Sequence, residues 1–186
     1  IQYPPPIWLR VREGVEPSPL VDGLRKQGVD TGVHPRFPQA IRAAKRFAAE
    51  ELESLYGAIF EFQDVASQAV VASCEAQPGD RWLDLFAGSG GKTLHLAEKV
   101  GDDGHVLATD NRNSMLKELQ RRRKRAQLSP LSARRVHAQK DPAPGDAFDG
   151  VLIDAPCSGL GTWGRHSDAR WRTAASSIAT CTDQQR

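Results

Sequence analysis

Apolar and polar positions follow two regimes along this chain. From about residue 62 onward, short apolar runs alternate with longer stretches in which apolar residues recur every three or four positions. That rhythm predicts a helix capped by Asp64 and running to about Cys74, a strand at 81–86 and a helix at 91–99. It continues with a strand at 104–109, a helix at 112–127, strands at 134–138 and 148–153, and a helix at 174–186. Strands alternating with helices predict an α/β fold on a doubly wound, mainly parallel sheet. Residues 1–60 read differently. Ile7 to Val11 forms a short strand behind a stiff proline run, and Ser18-Pro19 caps a helix that ends before Gly28. Residues 34–38 are loop or edge strand, and Ala43 to Tyr56 carries strong helix formers on a ragged apolar face. The expected division is a small N-terminal α/β appendage over 1–60 and a larger domain over 61–186.

Composition sets bounds on this picture. Hydrophobic residues make up 39% of the chain and charged residues 26%, enough apolar material for a core. No apolar run approaches the ~20 residues that a membrane helix needs, and the amino terminus lacks the basic-then-apolar order of a signal peptide. Cys74, Cys157 and Cys181 include no C-x-x-C pair, so they read as reduced thiols of a cytoplasmic protein. The five histidines form no ligand cluster, and no metal is expected. Net charge is only +2, but Arg121-Arg122-Arg123-Lys124-Arg125 gathers five cations. Such a run is a solvated helix face or a patch that attracts nucleic-acid phosphate. The chain opens without Met and closes at Asp183-Gln184-Gln185-Arg186 in what reads as mid-helix, so it is expected to be a piece of a longer protein.

Two strand ends carry the candidate chemistry. Arg81-Trp82-Leu83-Asp84-Leu85 runs into Phe86-Ala87-Gly88-Ser89-Gly90-Gly91-Lys92-Thr93, a glycine turn that opens a helix. Such a turn lets a ligand approach the backbone, and the helix directs unpaired N–H groups at it. A phosphate-binding G-x-x-x-x-G-K-[ST] loop fits only at its end, because its first glycine would be Phe86. A dinucleotide G-x-G-x-x-G loop fails at Thr93. S-adenosylmethionine is the third option: it needs a first strand ending in an acid, here Asp84, and a second acid for the ribose hydroxyls, here Asp110. Asp110 as a plain helix cap and Lys92 as a plain surface residue are the competing readings. The second strand end is Val151-Leu152-Ile153-Asp154-Ala155-Pro156-Cys157-Ser158-Gly159, which places a carboxylate and a thiol at one strand terminus.

These stretches resemble the RNA cytosine-5 methyltransferases of the RsmB/Nop/Sun type. The residues that carry the resemblance are FQDVASQ at 62–68, LDLFAGSGGKT at 83–93, ATD at 108–110, FDGVLIDAPCSGLGTWGRHSDARWR at 148–172 and, more weakly, IATCTDQQR at 178–186. WLRVR, within 7–12, is similar to that family's N-terminal RNA-binding region. The resemblance implies a Rossmann-like fold of the S-adenosylmethionine-dependent methyltransferase type. It implies a cofactor held by Phe86, Ala87, Gly88, Ser89, Gly90, Gly91 and Lys92, a ribose held by Asp110, and further contacts from Asp154. Asp141 is the nearest match to an adenine-side carboxylate. The family's loop usually reads Cys-Ala-Ala-Pro-Gly-Gly-Lys, and Phe-Ala-Gly-Ser-Gly-Gly-Lys here is looser while keeping its donors.

The implied reaction is methylation of cytosine carbon 5 in RNA, with single-stranded or loop regions of ribosomal RNA as the expected substrates, since the base must leave its stack. Cys157 and Asp154 are the catalytic candidates, with Cys157 either attacking or, as the RNA family implies, assisting product release. In that second case the nucleophile belongs to a Thr-Cys pair beyond Arg186. Thr180-Cys181 reads as helix and is not that pair. The chain alone is then expected to bind adenosylmethionine without methylating. Trp163 and Trp171, with Arg165, Arg170 and Arg172, suit either RNA stacking or a lid packed on the sheet. A P-loop-like nucleotide hydrolase and a non-catalytic RNA-binding relative are the rival readings.

Overall fold

The chain folds around two four-stranded sheets in the computed structural model, which describes residues 5–44, 47–57, 59–136, 145, 147–159, 161, 163–164, 168–172 and 174–185. The first sheet is antiparallel and comprises β1 (Ile7–Val11), β2 (Thr31–His34), β3 (Phe37–Ala43) and β4 (Phe60–Phe62), in the order β2-β3-β1-β4. Its helices are α1 (Ser18–Lys26) and α2 (Ala49–Tyr56). Leu9, Val11, Ile41 and Phe60 alternate onto one face and close a core with Leu20, Leu24 and Leu52. β4 straddles the expected division at residue 60, because Phe60–Phe62 pairs with β1.

Several expectations for this region are corrected. The appendage has four strands where a strand, a helix and a second strand were expected. The stretch from Ala43 to Tyr56 is the end of a strand followed by a helix that begins only at Ala49. Residues 34–38 span a β2–β3 hairpin: His34 ends β2, Pro35 and Arg36 make the turn, and Phe37 and Pro38 begin β3. Pro38 fits in β3 because the pairing with β1 begins at Ala40, so no ladder bond is lost there. Helix α1 begins with Pro17 as its N-cap and Pro19 in its first turn, and Ser18 makes no side-chain cap.

The second sheet comprises β5 (Arg81–Asp84), β6 (His105–Asp110), β7 (Leu131–Arg135) and β8 (Gly150–Leu152), all parallel and in the order β7-β6-β5-β8. Helices α3 (Val65–Ser73), α4 (Gly91–Val100) and α5 (Asn113–Ala126) go with it, followed by α6 (Ala169–Arg172) and α7 (Ala175–Gln185). Asp64 caps α3 by accepting a hydrogen bond from the Ala66 N–H at 2.9 Å. Trp82, Leu94, Leu96, Val106, Leu119 and Leu131 share one core. β7 starts three residues earlier than its sequence pattern suggests, because Leu131 is buried opposite Val106 while Arg134 and Arg135 emerge. The chain winds outward from β5 through β6 to β7, then returns to the other side of β5 as β8. That reversal opens a crevice at the carboxyl ends of β5 and β8. No helix among the described residues is long and apolar enough to cross a membrane.

Candidate functional site

Register brings the predicted residues to one edge of the parallel sheet. Asp84 lies opposite Ala108 on one side and Leu152 on the other. Asp110, the last residue of β6, and Asp154, two residues past the end of β8, therefore each lie two residues further along on either side of β5. The loop from Phe86 to Lys92 leaves β5 between them and opens α4.

Two glycines shape that loop. Gly88 has φ +55° and Gly90 φ +88°, the left-handed region. A Cβ on Gly90 would sit 2.7 Å from Leu119 Cγ, so the turn also rests directly on α5. The Gly88 N–H donates to Asp110 Oδ2 at 2.9 Å, and the Gly90 N–H donates to the Ala87 carbonyl at 2.9 Å.

Asp110 does not cap α5 through an amide of its first turn. Its carboxylate turns to the loop and accepts from Gly88 and from the backbone and guanidinium of Arg112, at 2.8–3.0 Å. Burial pushes its pKa up, but these hydrogen bonds outweigh that and hold it below the usual carboxylate value. The Arg112 side chain is 61% exposed, so its ion pair is weak and a ligand's hydroxyls can take its place.

Lys92 is not a plain surface residue. Its Nζ donates to Asp154 Oδ2 at 2.6 Å, spanning the crevice from α4 to the end of β8. Cys157 follows, exposed, in an irregular segment, and the Gln185 side chain of α7 donates to the Pro156 carbonyl at 2.7 Å. Cys181 lies within α7, as its helical pattern suggests. Asp141 lies outside the described residues, as does Arg165. Trp163 is half-buried and Trp171 exposed.

Asp84 has a larger part than its sequence position suggested. It is buried, accepts from Thr93 Oγ1 at 2.6 Å, and its Oδ1 has no hydrogen-bond partner among the described residues. Burial pushes its pKa up to about 6; Thr93 and Lys92 pull it down, while Asp154 and Asp110 push it up. Asp84, Asp110 and Asp154 thus meet two cations, Lys92 and the exposed Arg112, and the excess of carboxylates favours a cationic ligand over a polyphosphate.

His95 titrates in the opposite sense. Burial, with Arg10 and Lys99 nearby, pushes its pKa down to about 2. Below about pH 6.5 the unfolded chain binds a proton there that the folded chain refuses, so this stability is lost on acidification. Asp84 contributes stability that is full below about pH 4 and is lost as pH rises through its folded pKa of about 6. Between those values the two slopes oppose. Asp84→Asn should therefore lose stability faster than the unaltered chain between about pH 6 and 4, by about 1.4 kcal/mol per pH unit. Urea denaturation across that range measures it, and parallel slopes would refute the burial-driven shift of Asp84.

The basic run is not a uniformly solvated face. Arg121 and Lys124 face solvent, but Arg123 bonds the Leu128 carbonyl at 2.9 Å, and Arg122 and Arg125 turn inward onto Glu61. No sequence signal announced Glu61 as their partner.

Comparison with known proteins adds an independent observation. A family model described as 16S rRNA methyltransferase RsmB/F matches residues 71–186. Ribosomal RNA small subunit methyltransferase B of Pectobacterium carotovorum is 33% identical over 169 residues, covering 90% of this chain and 39% of that protein. The chain thus spans well under half the length of the curated relatives it matches. Among solved structures, that of PH0851 aligns with a TM-score of 0.88 and 27% identity, covering 97% of this chain and 41% of the other. A methyltransferase homolog from Pyrococcus horikoshii aligns with a TM-score of 0.71 and 24% identity, covering 86% and 53%. The α/β fold with its parallel sheet is the one these structures share.

Proposed function

The chain belongs to the RsmB/F family of 16S rRNA methyltransferases, and from that premise we propose that it is the cofactor-binding part of an S-adenosylmethionine-dependent RNA cytosine-5 methyltransferase. The observation that carries the reading is the Asp110 carboxylate turned to the Gly88 N–H at the sheet edge where Asp154 and the Pro156-Cys157 segment also lie. The residues present suit adenosylmethionine. Asp110 accepts from the ribose hydroxyls, the loop from Phe86 to Lys92 passes along the ligand, and Asp84 and Asp154 supply negative charge near its cationic end. Asp141 serves the adenine side. Adenosylmethionine, when bound, supplies an electrophilic methyl group on a sulfonium. A triphosphate would meet the same carboxylates unfavourably, and Lys92 is engaged by Asp154. The three thiols are free, which suits a reducing cytoplasm.

On the base, the work divides between this chain and the rest of the full-length protein. Asp154 hydrogen-bonds the pyrimidine edge and holds the extruded cytosine over the crevice. A thiolate from a Thr-Cys pair beyond Arg186 adds to carbon 6, which makes carbon 5 nucleophilic. Once carbon 5 is methylated, a base takes its proton, the carbon–sulfur bond breaks, and its electron pair returns to the thiolate. Cys157 assists this release from its exposed segment. The 1–60 appendage with β4 contacts the RNA.

The test uses the full-length protein with ribosomal RNA and adenosylmethionine. Cys157→Ala should accumulate a denaturant-resistant protein–RNA adduct that the unaltered protein does not. Unimpaired turnover without any adduct would refute this role.

A further inference from the structure

The loop assigned above to the cofactor is held from beneath by a buried ion pair that reaches it from the first sheet. Arg122 lies on α5 one turn beyond Leu119, and its side chain is 12% exposed. Its Nη1 donates to the Ser89 carbonyl at 3.0 Å. Its Nε and Nη2 donate to Glu61 Oε2 at 3.1 and 2.7 Å. Glu61 belongs to β4, and its side chain is 2% exposed. Arg125 donates to the same oxygen at 2.9 Å and to Glu53 at 2.7 Å, but no bond joins it to the loop.

A trans peptide points its C=O and N–H in opposite directions. Holding the Ser89 carbonyl therefore aims the Gly90 N–H the other way, and it donates to the Ala87 carbonyl and closes the turn. We infer that Arg122, oriented by Glu61, is a positioning residue that sets the Ser89–Gly90 peptide and so makes the first sheet part of the cofactor site. The planar guanidinium suits this because one rigid fork serves a carboxylate and a carbonyl at once. Glu61 is what holds the fork: without it, Arg122 would lose its carboxylate partner while Arg125 would keep Glu53. This inference rests on the adenosylmethionine reading only for its effect on affinity; its effect on the turn stands on the ligand-free chain.

Two variants separate positioning from plain structural support. Arg122→Met removes both the Glu61 pair and the Ser89 bond, whereas Arg125→Met removes a Glu61 partner but leaves Ser89 alone. In the ligand-free chain, exchange of the Gly90 amide proton should quicken more than tenfold in Arg122→Met and less than twofold in Arg125→Met. Adenosylmethionine affinity, measured well below the melting transition, should fall about tenfold in the first variant only. Arg122→Lys, which keeps the charge but not the fork, should show the same exchange defect in smaller measure and covers the case in which the methionine variant does not fold. Equal exchange in the Arg122 and Arg125 variants overturns the inference. Faster exchange with no adenosylmethionine binding by the unaltered chain overturns the cofactor reading and leaves the role of Arg122 in the turn standing.

Discussion

Asp110→Asn is expected to weaken adenosylmethionine binding by more than a hundredfold while leaving the chain folded. Asparagine keeps an oxygen for the Gly88 N–H, now bonded at 2.9 Å, so the loop retains its anchor. The loss falls on the ligand. Two ribose hydroxyls need two acceptors, and the amide offers one oxygen and an opposing NH2 group. Hydrogen bonds to a charged group contribute about 1.5–3 kcal/mol each, so two of them amount to at least a hundredfold. Calorimetric titration of the variant checks this, and a loss under threefold would show that the ribose lies elsewhere.

Gly90→Ala is expected to cost about 2–5 kcal/mol of stability and to abolish cofactor binding with it. The left-handed φ of +88° alone costs a residue with a Cβ about 1–2 kcal/mol. The new carbon would also lie 2.7 Å from Leu119 Cγ, and Leu119 is fully buried, so overpacking adds about 1–3 kcal/mol. Leu119→Ala opens room for it, so the double variant should be more stable than the two separate losses predict. Urea denaturation of the four chains checks both statements. Strict additivity would mean that the turn does not rest on α5.

The second sheet could be read from the sequence because its strands are short apolar runs and its helices are amphipathic, so local pattern and global fold agree. The first sheet was harder. β3 carries Pro38, Arg42 and three small or polar residues, and only its pairing with β1 and β2 makes it a strand. β7 begins at Leu131, whose burial opposite Val106 sets the register, whereas the local pattern places it later because the exposed Arg134 and Arg135 lie inside the strand. In the site, acids at strand ends and the glycine turn could be read directly, since both follow from chain geometry. The inward turn of Arg122 and Arg125 could not. Five successive cations look like a solvated face, and the partner that draws two of them in is 61 or 64 residues away. The weight of Asp84 was also missed, because its raised pKa comes from burial and not from any neighbour in sequence.

One titration bears most directly on the whole picture. Adenosylmethionine added to the 186-residue chain should bind saturably at one site, and ATP with magnesium should not bind. Saturable binding of ATP, with none of adenosylmethionine, would contradict it.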